Sequence, residues 1–591
     1  MTRVPRPSRK WVSAQAPTPH TRRKTVRLKR ISAACAALTV SAALALTGCS
    51  GDSKGSGSGG NGGSDQAKTT DINPQDRDKL KQGGTLRVAI TQLPTNWNIL
   101  AVDGNQVDNS DIFYWTGVNT LESNDKGEVS PNKNYLTGWD VEEAKDGQPQ
   151  KVTLHINPKA KWNMGRQIDW QDYQSLWKAC NGENKAFTPA STDGFDKITS
   201  IEKGETDQDV VITYKSTQPD WQAPISQLYP REMTSDPNMF NSGMTEPNND
   251  YLAGPFIFDK IDKAQRVATI VPNPKWWGDK PMLDSVSFRE LEDSASSQAF
   301  ANSEIDVATF INSDGYNQAK NRADGEIRAA GSLQWRHVTI NSQARNLGDE
   351  KVRQAITRGI NREAVAKSDL AGLPVANTPE QVMLGNHFFM PGQEGYADNG
   401  EKWSYDAEAA GKLLDEAGWK LPEGKKIREK DGQPLSIDYM MLKDVPTSEN
   451  EGKLIQADLA KIGIDVKMVT KAQDEFPKFL IDGDFGLTTF TWQGTIFPMN
   501  NIGQIYGSDS ESNYARLNNT KLDELRDQAD AEMDHAKRVD LTNEIDAMIW
   551  EEGHTIPLYR RIGYVGVPKN LANYGSFGLE SIVPENVGYV K

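Results

Sequence analysis

Hydrophobic residues recur along this chain with two spacings, one typical of strands and one typical of helices. In Thr85–Ile90 every second residue is apolar, and Val152–Ile156 and Ile270–Val271 continue this pattern. Apolar side chains at alternate positions face one side of a strand, so these segments predict β-strands with one buried face. A late strand is predicted at His554–Arg560.

Helical spacing is clearest in the C-terminal half. Val352, Ala355, Ile356 and Ile360 keep one face apolar, and Asp349 is the predicted N-cap. Further helices are predicted between Asp406 and Gly418, between Ile455 and Gly463, and as two segments within Leu522–Ile549. After Gly463 the spacing of two returns, which indicates a helix-to-strand unit. The mixture of both patterns without an internal repeat predicts an α/β fold.

The N-terminus has a different pattern, a single apolar run behind a basic stretch. Ile31–Leu46 is rich in alanine and too short for a stable membrane-spanning helix. Directly after it, Leu46-Thr47-Gly48-Cys49 resembles the bacterial lipobox, whose cysteine receives a diacylglycerol group. We therefore predict a lipoprotein signal peptide at 1–48 with lipidation of Cys49. The alternative is an Ala-rich buried helix that ends at a cysteine by chance.

The export route and the start codon stay open. Thr21-Arg22-Arg23-Lys24 resembles a twin-arginine motif, but Thr25 and Val26 stand where that motif prefers Phe and Leu, which favours Sec export. Because the basic region is long, one hypothesis places the true start near Val26. Beyond the signal, Gly51–Asp71 is rich in Gly and Ser, and residues 49–82 are predicted to form a flexible tether.

Charge and length restrict the class of protein. The chain has 591 residues, of which 37% are hydrophobic and 25% charged, as in soluble globular proteins of two or three domains. Beyond residue 30 there are 57 Lys and Arg against 81 Asp and Glu, a net charge of −24. Nucleic-acid binding needs a basic face, so nucleic acid is excluded as a partner. Simple solubility explains the acidity.

Cysteines and histidines offer no site for chemistry. Cys35 and Cys49 lie at the N-terminal apolar run, which leaves Cys180 alone and predicts a small buried side chain rather than a disulfide. The six histidines are scattered and form neither H-E-x-x-H nor a paired Cys/His spacing. His554, beside Glu551 and Glu552, is interpreted as part of a solvated helix end rather than as a metal ligand. No metal or cofactor is expected.

Catalytic motifs occur only where composition explains them. Gly55-x-Gly57-x-x-Gly60 matches a dinucleotide fingerprint and Gly51-x-Ser53-x-Gly55 a nucleophile elbow, but neither follows a predicted strand. The sequence contains no G-x-x-x-x-G-K-[ST] phosphate loop, so ATP hydrolysis by that route would require another subunit. The chain is therefore predicted not to be an enzyme.

Seven motifs in order resemble one family. Lys151–Asp172, with Trp162 and Gly165, is similar to a signature of strand, Trp-x-x-Gly turn and acidic helix start, and it follows the opening strand Gly83–Ile90. The others are Gly254-Pro255-Phe256, Asn273-Pro274-x-Trp276-Trp277-Gly278, Thr339-Ile340-Asn341, Lys351–Ile356, and Tyr405-Asp406 through Ala417-Gly418-Trp419. Together they resemble the extracellular solute-binding proteins of family 5, the peptide-, dipeptide- and nickel-binding group.

This resemblance implies an architecture. It is an α/β, two-lobe periplasmic-binding-protein-like fold (type II, cluster C-like) with an additional inserted domain, in which a hinge closes the lobes on a ligand. The implied ranges are 83–121, 254–336 and 554–591 for lobe I, 122–253 for the extra domain, and 337–553 for lobe II. Trp162, Trp276 and Trp419 are interpreted as packing residues rather than ligand contacts.

The resemblance also implies a ligand site. Peptide-binding members use a W-x-x-D segment whose carboxylate meets the peptide's α-ammonium, and the matching residues here are Trp492, Gln493, Gly494 and Thr495. Thr495 stands in place of the Asp, so the counter-charge is missing. Three accounts fit: the ligand's terminus is blocked or absent, another acid such as Asp108 or Asp111 substitutes, or the alignment slips.

Residues 103–115 should form the facing loop of lobe I. Gln106, Asp108, Tyr114 and Trp115 are therefore candidate ligand contacts. Trp492 is the strongest candidate, with a core position in lobe II as the alternative.

The implied function is that of a monomer that is anchored by its lipid to the extracytoplasmic face of the cell membrane. It captures oligopeptides and delivers them to ABC permease subunits, which work with separate ATPase subunits. One alternative keeps the architecture but changes the ligand to a sugar oligomer, an opine-like compound or chelated nickel, for which His337 is the nearest candidate ligand and has no pairing residue. A secreted hydrolase and a lipoprotein sensor for a signalling receptor are the others.

Overall fold

A computed structural model describes residues 68–591 apart from residues 146, 444, 473, 474, 501, 509 and 511. The predicted signal peptide and Cys49 lie outside the described residues. Strands and helices are numbered in chain order.

The strands are β1 Leu80–Lys81, β2 Thr85–Ile90, β3 Val118–Asn119, β4 Leu121–Ser123, β5 Val129–Pro131, β6 Leu136–Glu142, β7 Lys151–Ile156, β8 Ile198–Lys203, β9 Asp209–Tyr214, β10 Gln227–Leu228, β11 Phe256–Asp262, β12 Val267–Pro272, β13 Ser285–Glu290, β14 Ala308–Phe310, β15 Gly325–Ile340, β16 Glu429–Lys430, β17 Gln433–Pro434, β18 Ser436–Leu442, β19 Asp465–Lys471, β20 Leu487–Gln493, β21 Thr555–Pro568, β22 Leu571–Ala572 and β23 Gly588–Val590.

The helices are α1 Val107–Thr116, α2 Trp170–Cys180, α3 Arg231–Thr234, α4 Asp293–Ala301, α5 Ser313–Ala319, α6 Glu350–Gly359, α7 Arg362–Asp369, α8 Ala407–Glu416, α9 Pro446–Lys461, α10 Phe476–Asp482, α11 Ile502–Tyr506, α12 Thr520–Ala531 and α13 His535–Glu552. None of the helices in this described part of the chain is both long and apolar enough to cross a membrane.

The predicted strand at Thr85–Ile90 is confirmed and belongs to a four-stranded sheet of order β11-β12-β13-β2. Leu86, Val88 and Ile90 are buried, as the alternating pattern predicts. β2 and β13 run parallel and in register from Thr85 opposite Ser285 to Ile90 opposite Glu290. Both strands therefore end at the same edge of this sheet.

A second four-stranded sheet, of order β6-β7-β9-β8, is antiparallel throughout. α2 packs on this sheet, and its start is stabilised by a capping box between Asp169 and Asp172. Asp172 also accepts a hydrogen bond of 3.0 Å from the Trp162 indole, and Trp162 is 1% exposed. The packing role predicted for Trp162 is thus confirmed. Cys180 is buried in the same core, as predicted.

The largest sheet has six strands in the order β14-β21-β15-β20-β18-β19. β18 is parallel to both β19 and β20, whereas β15 is antiparallel to β20 and β21. β15 has 16 residues and β21 has 14, and their pairing has a break in register between Gly331 and Trp335. These two long strands connect regions that the sequence assigned to different lobes.

The C-terminal helices are confirmed together with their caps. Asp349 accepts a hydrogen bond of 3.0 Å from the Lys351 amide at the start of α6, and Asp406 accepts one of 2.9 Å from the Ala409 amide at the start of α8. Gly463, just past the end of α9, has a φ of +87°, a left-handed conformation that glycine adopts without strain. α12 and α13 are the two segments predicted within Leu522–Ile549.

The predicted end of the tether is wrong. Residues 71–82 are part of the folded body, because Ile72 is buried and Leu80 is 2% exposed within β1, which pairs with β23. Arg77 donates to the Asn586 side chain over 2.7 Å. Composition distinguishes the Gly/Ser-rich stretch from its neighbours, but it does not reveal that the neighbouring residues dock on a distant C-terminal strand.

The lobe boundary predicted at 336/337 falls inside β15, and that predicted at 553/554 falls directly before β21. The six-stranded sheet continues across both, because β14, β15 and β21 are hydrogen-bonded to the same sheet as β18 and β20. The division of the chain into lobes therefore stays a prediction.

Candidate functional site

The carboxyl ends of the parallel strands and the middle of the two long strands define the region of interest, called here the candidate cleft. It includes the segments after β2, β13 and β20, together with residues 331–335 and 559–563. In α/β sheets, ligands bind outside the carboxyl ends of the strands. The Gly494 amide donates to the Leu333 carbonyl over 2.9 Å, which holds the end of β20 against β15 at this position.

Trp492 is the last-but-one residue of β20 and is partly exposed. Its ring is parallel to that of Tyr514, with 5.9 Å between the centroids and 1° between the planes. Phe490 contacts it edge-on at 5.1 Å. The indole is therefore held rigidly by aromatic neighbours while it keeps an accessible surface, and this is a suitable wall for a flat or apolar ligand group.

The rest of the W-x-x-D position forms a turn. Gln493 and Thr495 are exposed, and Gly494 lies close to Leu333. The Thr495 hydroxyl accepts a hydrogen bond of 3.2 Å from the Phe497 amide. Thr495 therefore supports the backbone of the turn, and this position carries no negative charge.

Gln106 and Asp108 lie at the start of α1. Gln106 is its N-cap but makes no capping hydrogen bond through its side chain. One oxygen of Asp108 accepts hydrogen bonds from the Thr91 amide at 3.0 Å, the Thr91 hydroxyl at 2.5 Å and the Gln92 amide at 2.9 Å. Asp108 therefore fixes the loop that follows β2.

Trp115 is not a ligand contact, contrary to the prediction. It is 2% exposed and packs edge-on against Phe256 and Phe288 at 5.3 and 6.4 Å. The side of α1 that carries Trp115 faces the core with the four-stranded sheet. The sequence of a single helix does not show which of its sides is buried. Tyr114 is half-buried and lines a small surface recess with Glu122 and Glu585, among others.

Asp111, which the sequence offered as a substitute acid, stays accessible to solvent on the exposed side of α1. The surrounding protein removes much of its hydration, and this together with the negative charge of Asp108 raises the pKa of Asp111 to about 7. Burial raises the pKa of the Tyr114 and Tyr574 phenols, and the nearby charge of Asp111 adds to this effect.

A closed network of charged and polar groups flanks the long strands. Arg336 of β15 forms an ion pair with Glu451 of α9, with 2.9 Å between Nε and Oε1. Asp369, at the end of α7, accepts a hydrogen bond of 3.1 Å from the Tyr559 hydroxyl. Burial and the neighbouring Glu451 carboxylate raise the pKa of Asp369 to about 8, so at neutral pH Asp369 keeps its proton and donates it toward Glu451. The Thr489 hydroxyl also donates to Glu451.

Two arginines that sequence reasoning did not select follow Tyr559 in β21. Arg560 donates to the Ser332 carbonyl over 2.7 Å and to the Pro391 carbonyl over 3.2 Å. Arg561 is half-buried, and its Nε has no hydrogen-bond partner. The sequence feature that could have revealed them is a pair of arginines inside the otherwise largely apolar segment IPLYRRIGYVGV.

His337 does not serve as a metal ligand at this site, although it was the nearest candidate for chelated nickel. It is fully buried, with Phe490 at 4.1 Å and Trp335 at 5.0 Å between ring centroids. Burial lowers the pKa of His337 well below its ordinary value. Within the described part of the chain, no three His, Cys, Asp or Glu side chains are grouped so that they could hold a metal ion.

Solved structures with the same fold cover nearly the whole described chain. The periplasmic EDTA-binding protein EppA superposes with a TM-score of 0.79 at 24% identity, over 90% of this chain and 99% of that one. The oligopeptide-binding protein AppA from Bacillus subtilis, in complex with a nonapeptide, superposes with a TM-score of 0.71 at 20% identity, over 87% of this chain and 100% of that one. The chain thus has the two-lobe α/β fold of these structures.

The family follows from sequence comparison. Residues 133–514, more than half of the chain, match the model for "Bacterial extracellular solute-binding proteins, family 5 Middle", and the chain belongs to this family. It is 33% identical over 558 residues to the oligopeptide-binding protein OppA of Mycobacterium tuberculosis, 93% of this chain and 92% of that one. It is also 26% identical over 331 residues to the dipeptide-binding protein of Escherichia coli, 55% of this chain and 59% of that one.

This membership assigns the chain's class. It is an extracytoplasmic solute-binding protein of an ABC importer, and a binding protein rather than an enzyme.

Proposed function

We propose that this protein captures oligopeptides between its two lobes and delivers them to the permease of an ABC importer, as a lipid-anchored monomer on the outer face of the cell membrane. Lobe I, the extra domain and lobe II take the ranges given from the sequence, and the tether ends before residue 71, because residues 71–82 dock on the body. Permease and ATPase would be separate chains.

The observation that carries the peptide ligand is the similarity to OppA over 93% of the chain. The candidate cleft is consistent with it. Peptide binders recognise the ligand's backbone and tolerate varied side chains. Here the backbone of residues 493–495 offers a surface for the ligand's backbone, and the accessible Trp492 offers one for its side chains.

Recognition of the ligand's N-terminus would differ from the W-x-x-D pattern. Thr495 supplies no counter-charge, so an α-ammonium group would gain no ion pair there. We propose that a free N-terminus is not required at this position, and that Asp111 is the acid to test if a requirement is found.

The test uses the full chain, purified in detergent under non-denaturing conditions. Co-purifying ligands are identified by mass spectrometry, and pooled peptides are added in a thermal-shift assay. We expect a rise in the melting temperature with peptides that persists after N-acetylation. A rise lost on acetylation would keep the peptide ligand but contradict the N-terminal argument. A response to sugars or metal chelates alone would refute the peptide ligand.

Lipid anchoring is tested separately. Mass spectrometry of the protein from membranes should find a mature N-terminus at Cys49 carrying a diacylglycerol mass, and a Cys49→Ala variant should leave the membrane fraction. An unmodified N-terminus at another residue would contradict this part of the proposal.

A further inference from the structure

The two neighbouring arginines of β21 have opposite surroundings. Arg560 satisfies its guanidinium with two carbonyl oxygens, those of Ser332 and Pro391. Arg561 is half-buried, its Nε is enclosed without a hydrogen-bond partner, and no described carboxylate forms an ion pair with it. Burial lowers the pKa of Arg561 below its ordinary value, as expected for a guanidinium that has lost water without gaining a partner. Arginine nevertheless stays charged in proteins.

The acids near Arg561 are already engaged elsewhere. Glu451 is held by Arg336 and by the Thr489 hydroxyl. Asp369 keeps its proton at neutral pH and bonds to Tyr559. Among the described contacts neither acid forms an ion pair with Arg561, so its guanidinium has no directly bonded acidic partner in this network.

A third acid near Arg561 is Asp293, in the segment that follows β13. Asp293 is the exposed first residue of α4, close after β13. Loss of hydration and the charge of Glu292 raise its pKa, and the nearby positive charge of Arg561 opposes this rise. The two side chains influence each other but form no ion pair. Arg561 thus lies near Asp293, which follows β13, and near Asp369 of α7, in the middle of β21, called here the hinge strand.

An unpaired guanidinium in such a place is costly for the folded protein unless a partner arrives. From this geometry we infer that Arg561 binds an anionic group of the ligand, a carboxylate, at the floor of the candidate cleft. The planar guanidinium can receive a carboxylate through two parallel hydrogen bonds. This inference rests on the proposed function and narrows it to peptides that present a carboxylate at the hinge.

The charges of the cleft agree with this assignment. The position that would neutralise a peptide ammonium carries Thr495, whereas the hinge strand carries an unpaired cation. Together these two residues shift the preference of the site away from a cationic ligand end and toward an anionic one. The carboxylate can come from the peptide's C-terminus or from an Asp or Glu side chain, which share the same chemistry.

The test compares three peptide pools of equal length and composition with the full-length protein in detergent. The first has neutral side chains and free C-termini, the second has the same sequences as C-terminal amides, and the third consists of amides with one Glu. Apparent affinities from thermal-shift titration are measured for the wild type, Arg561→Gln and Arg561→Lys.

We expect the wild type to bind one carboxylate-bearing pool at least about tenfold more tightly than the neutral amides, and Arg561→Gln to remove this difference. A preference for the first pool would assign the C-terminal carboxylate, and a preference for the third the acidic side chain. Arg561→Lys should keep part of the preference because it keeps the charge without the paired hydrogen bonds.

Two further measurements separate ligand binding from folding. Without peptide, Arg561→Gln should melt at the same temperature as the wild type or higher, because it removes an unpaired charge. The matched control is Arg358→Gln, a half-buried arginine of α6 that lies over Trp403 at 5.3 Å, and it should leave the ratio between pools unchanged.

Equal affinity of the wild type for acids and amides would overturn the inference while leaving the peptide function intact. A lower melting temperature for Arg561→Gln with an unchanged acid-to-amide ratio would also overturn it, since Arg561 would then be a structural residue. Binding of no pool by the wild type would refute the proposed function, and this inference with it.

Discussion

Accessibility distinguishes the two tryptophans that the sequence proposed as ligand contacts. Trp492 is partly exposed at the end of β20, whereas Trp115 is 2% exposed in the core. Both tryptophans have polar residues nearby in the sequence, so the local sequence pattern does not distinguish the exposed one from the buried one. What separates them is whether another element covers the indole.

Trp492→Ala should weaken peptide binding about tenfold, because an alanine cannot replace the indole surface that Tyr514 supports. Trp492→Phe keeps an aromatic ring and should retain most of the affinity. Calorimetric titration with a peptide that the wild type binds measures the affinity of both variants. A Trp492→Ala variant that binds like the wild type and is merely less stable would show that this residue serves only the core.

The buried carboxyl of Asp369 gives the protein a pH-dependent stability. Its pKa is about 8 in the folded protein against an ordinary value of 3.8, because burial, the neighbouring Glu451 charge and their hydrogen bond raise it more than Arg336 and the Tyr559 hydrogen bond lower it. Between these two values the folded state holds a proton that the unfolded state has lost. The stability gained from this group is full below pH 3.8 and is lost as the pH rises through about 8.

Asp369→Asn should therefore reduce the loss of stability as the pH rises from about 4 to about 8, since the amide still donates to Glu451 but cannot ionise. Melting temperatures across this range provide the measurement, with wild type and variant compared at each pH. Parallel curves for the two proteins would show that Asp369 does not titrate in this window.

At the scale of elements, helices in the C-terminal half begin where the sequence predicts because side-chain caps are local. Asp406 caps α8 through the Ala409 amide at 2.9 Å, and Asp349 does the same for α6. Strands whose partners are far away in sequence are harder to predict. β1 exists only because β23, at the other end of the chain, lies beside it.

Asp406→Ala should lower the free energy of unfolding by about 1 kcal/mol, since the Ala409 amide would lose its partner. Asp406→Asn is the control, because Asn caps helices about as well. Urea unfolding followed by circular dichroism compares the three proteins. Equal destabilisation by both substitutions would indicate that the charge of Asp406, rather than its capping hydrogen bond, stabilises α8.

At the scale of the whole molecule, one ion pair joins the predicted extra domain to predicted lobe II. Arg538 of α13 and Asp220 lie 2.6 Å apart, and their side chains are 4% and 17% exposed. Their separation in sequence is 318 residues. An ion pair so well shielded from water contributes to the mutual position of the two regions, because loss of one partner leaves a buried charge.

Asp220→Ala should shift the protein toward a more open arrangement, because opening would return Arg538 to water. Small-angle X-ray scattering without peptide should then give a larger radius of gyration than for the wild type. In Asp220→Ala combined with Arg538→Leu the difference should shrink, since no unpaired charge remains. An unchanged radius in the single variant would mean that other contacts hold the regions together.

The sequence by itself determined the helices and strands with clear spacing, their caps, the absence of catalytic motifs and, through seven ordered motifs, the family and its α/β fold. These features depend on residues within a few positions of one another or on motifs that need no folding to be read. Tertiary structure decided that Trp115 and His337 are buried, that residues 71–82 dock on the body, and that Arg561 lacks a partner while Arg560 has two. The physical reason is that burial and pairing depend on which distant surfaces meet, and spacing along the chain carries no record of those surfaces.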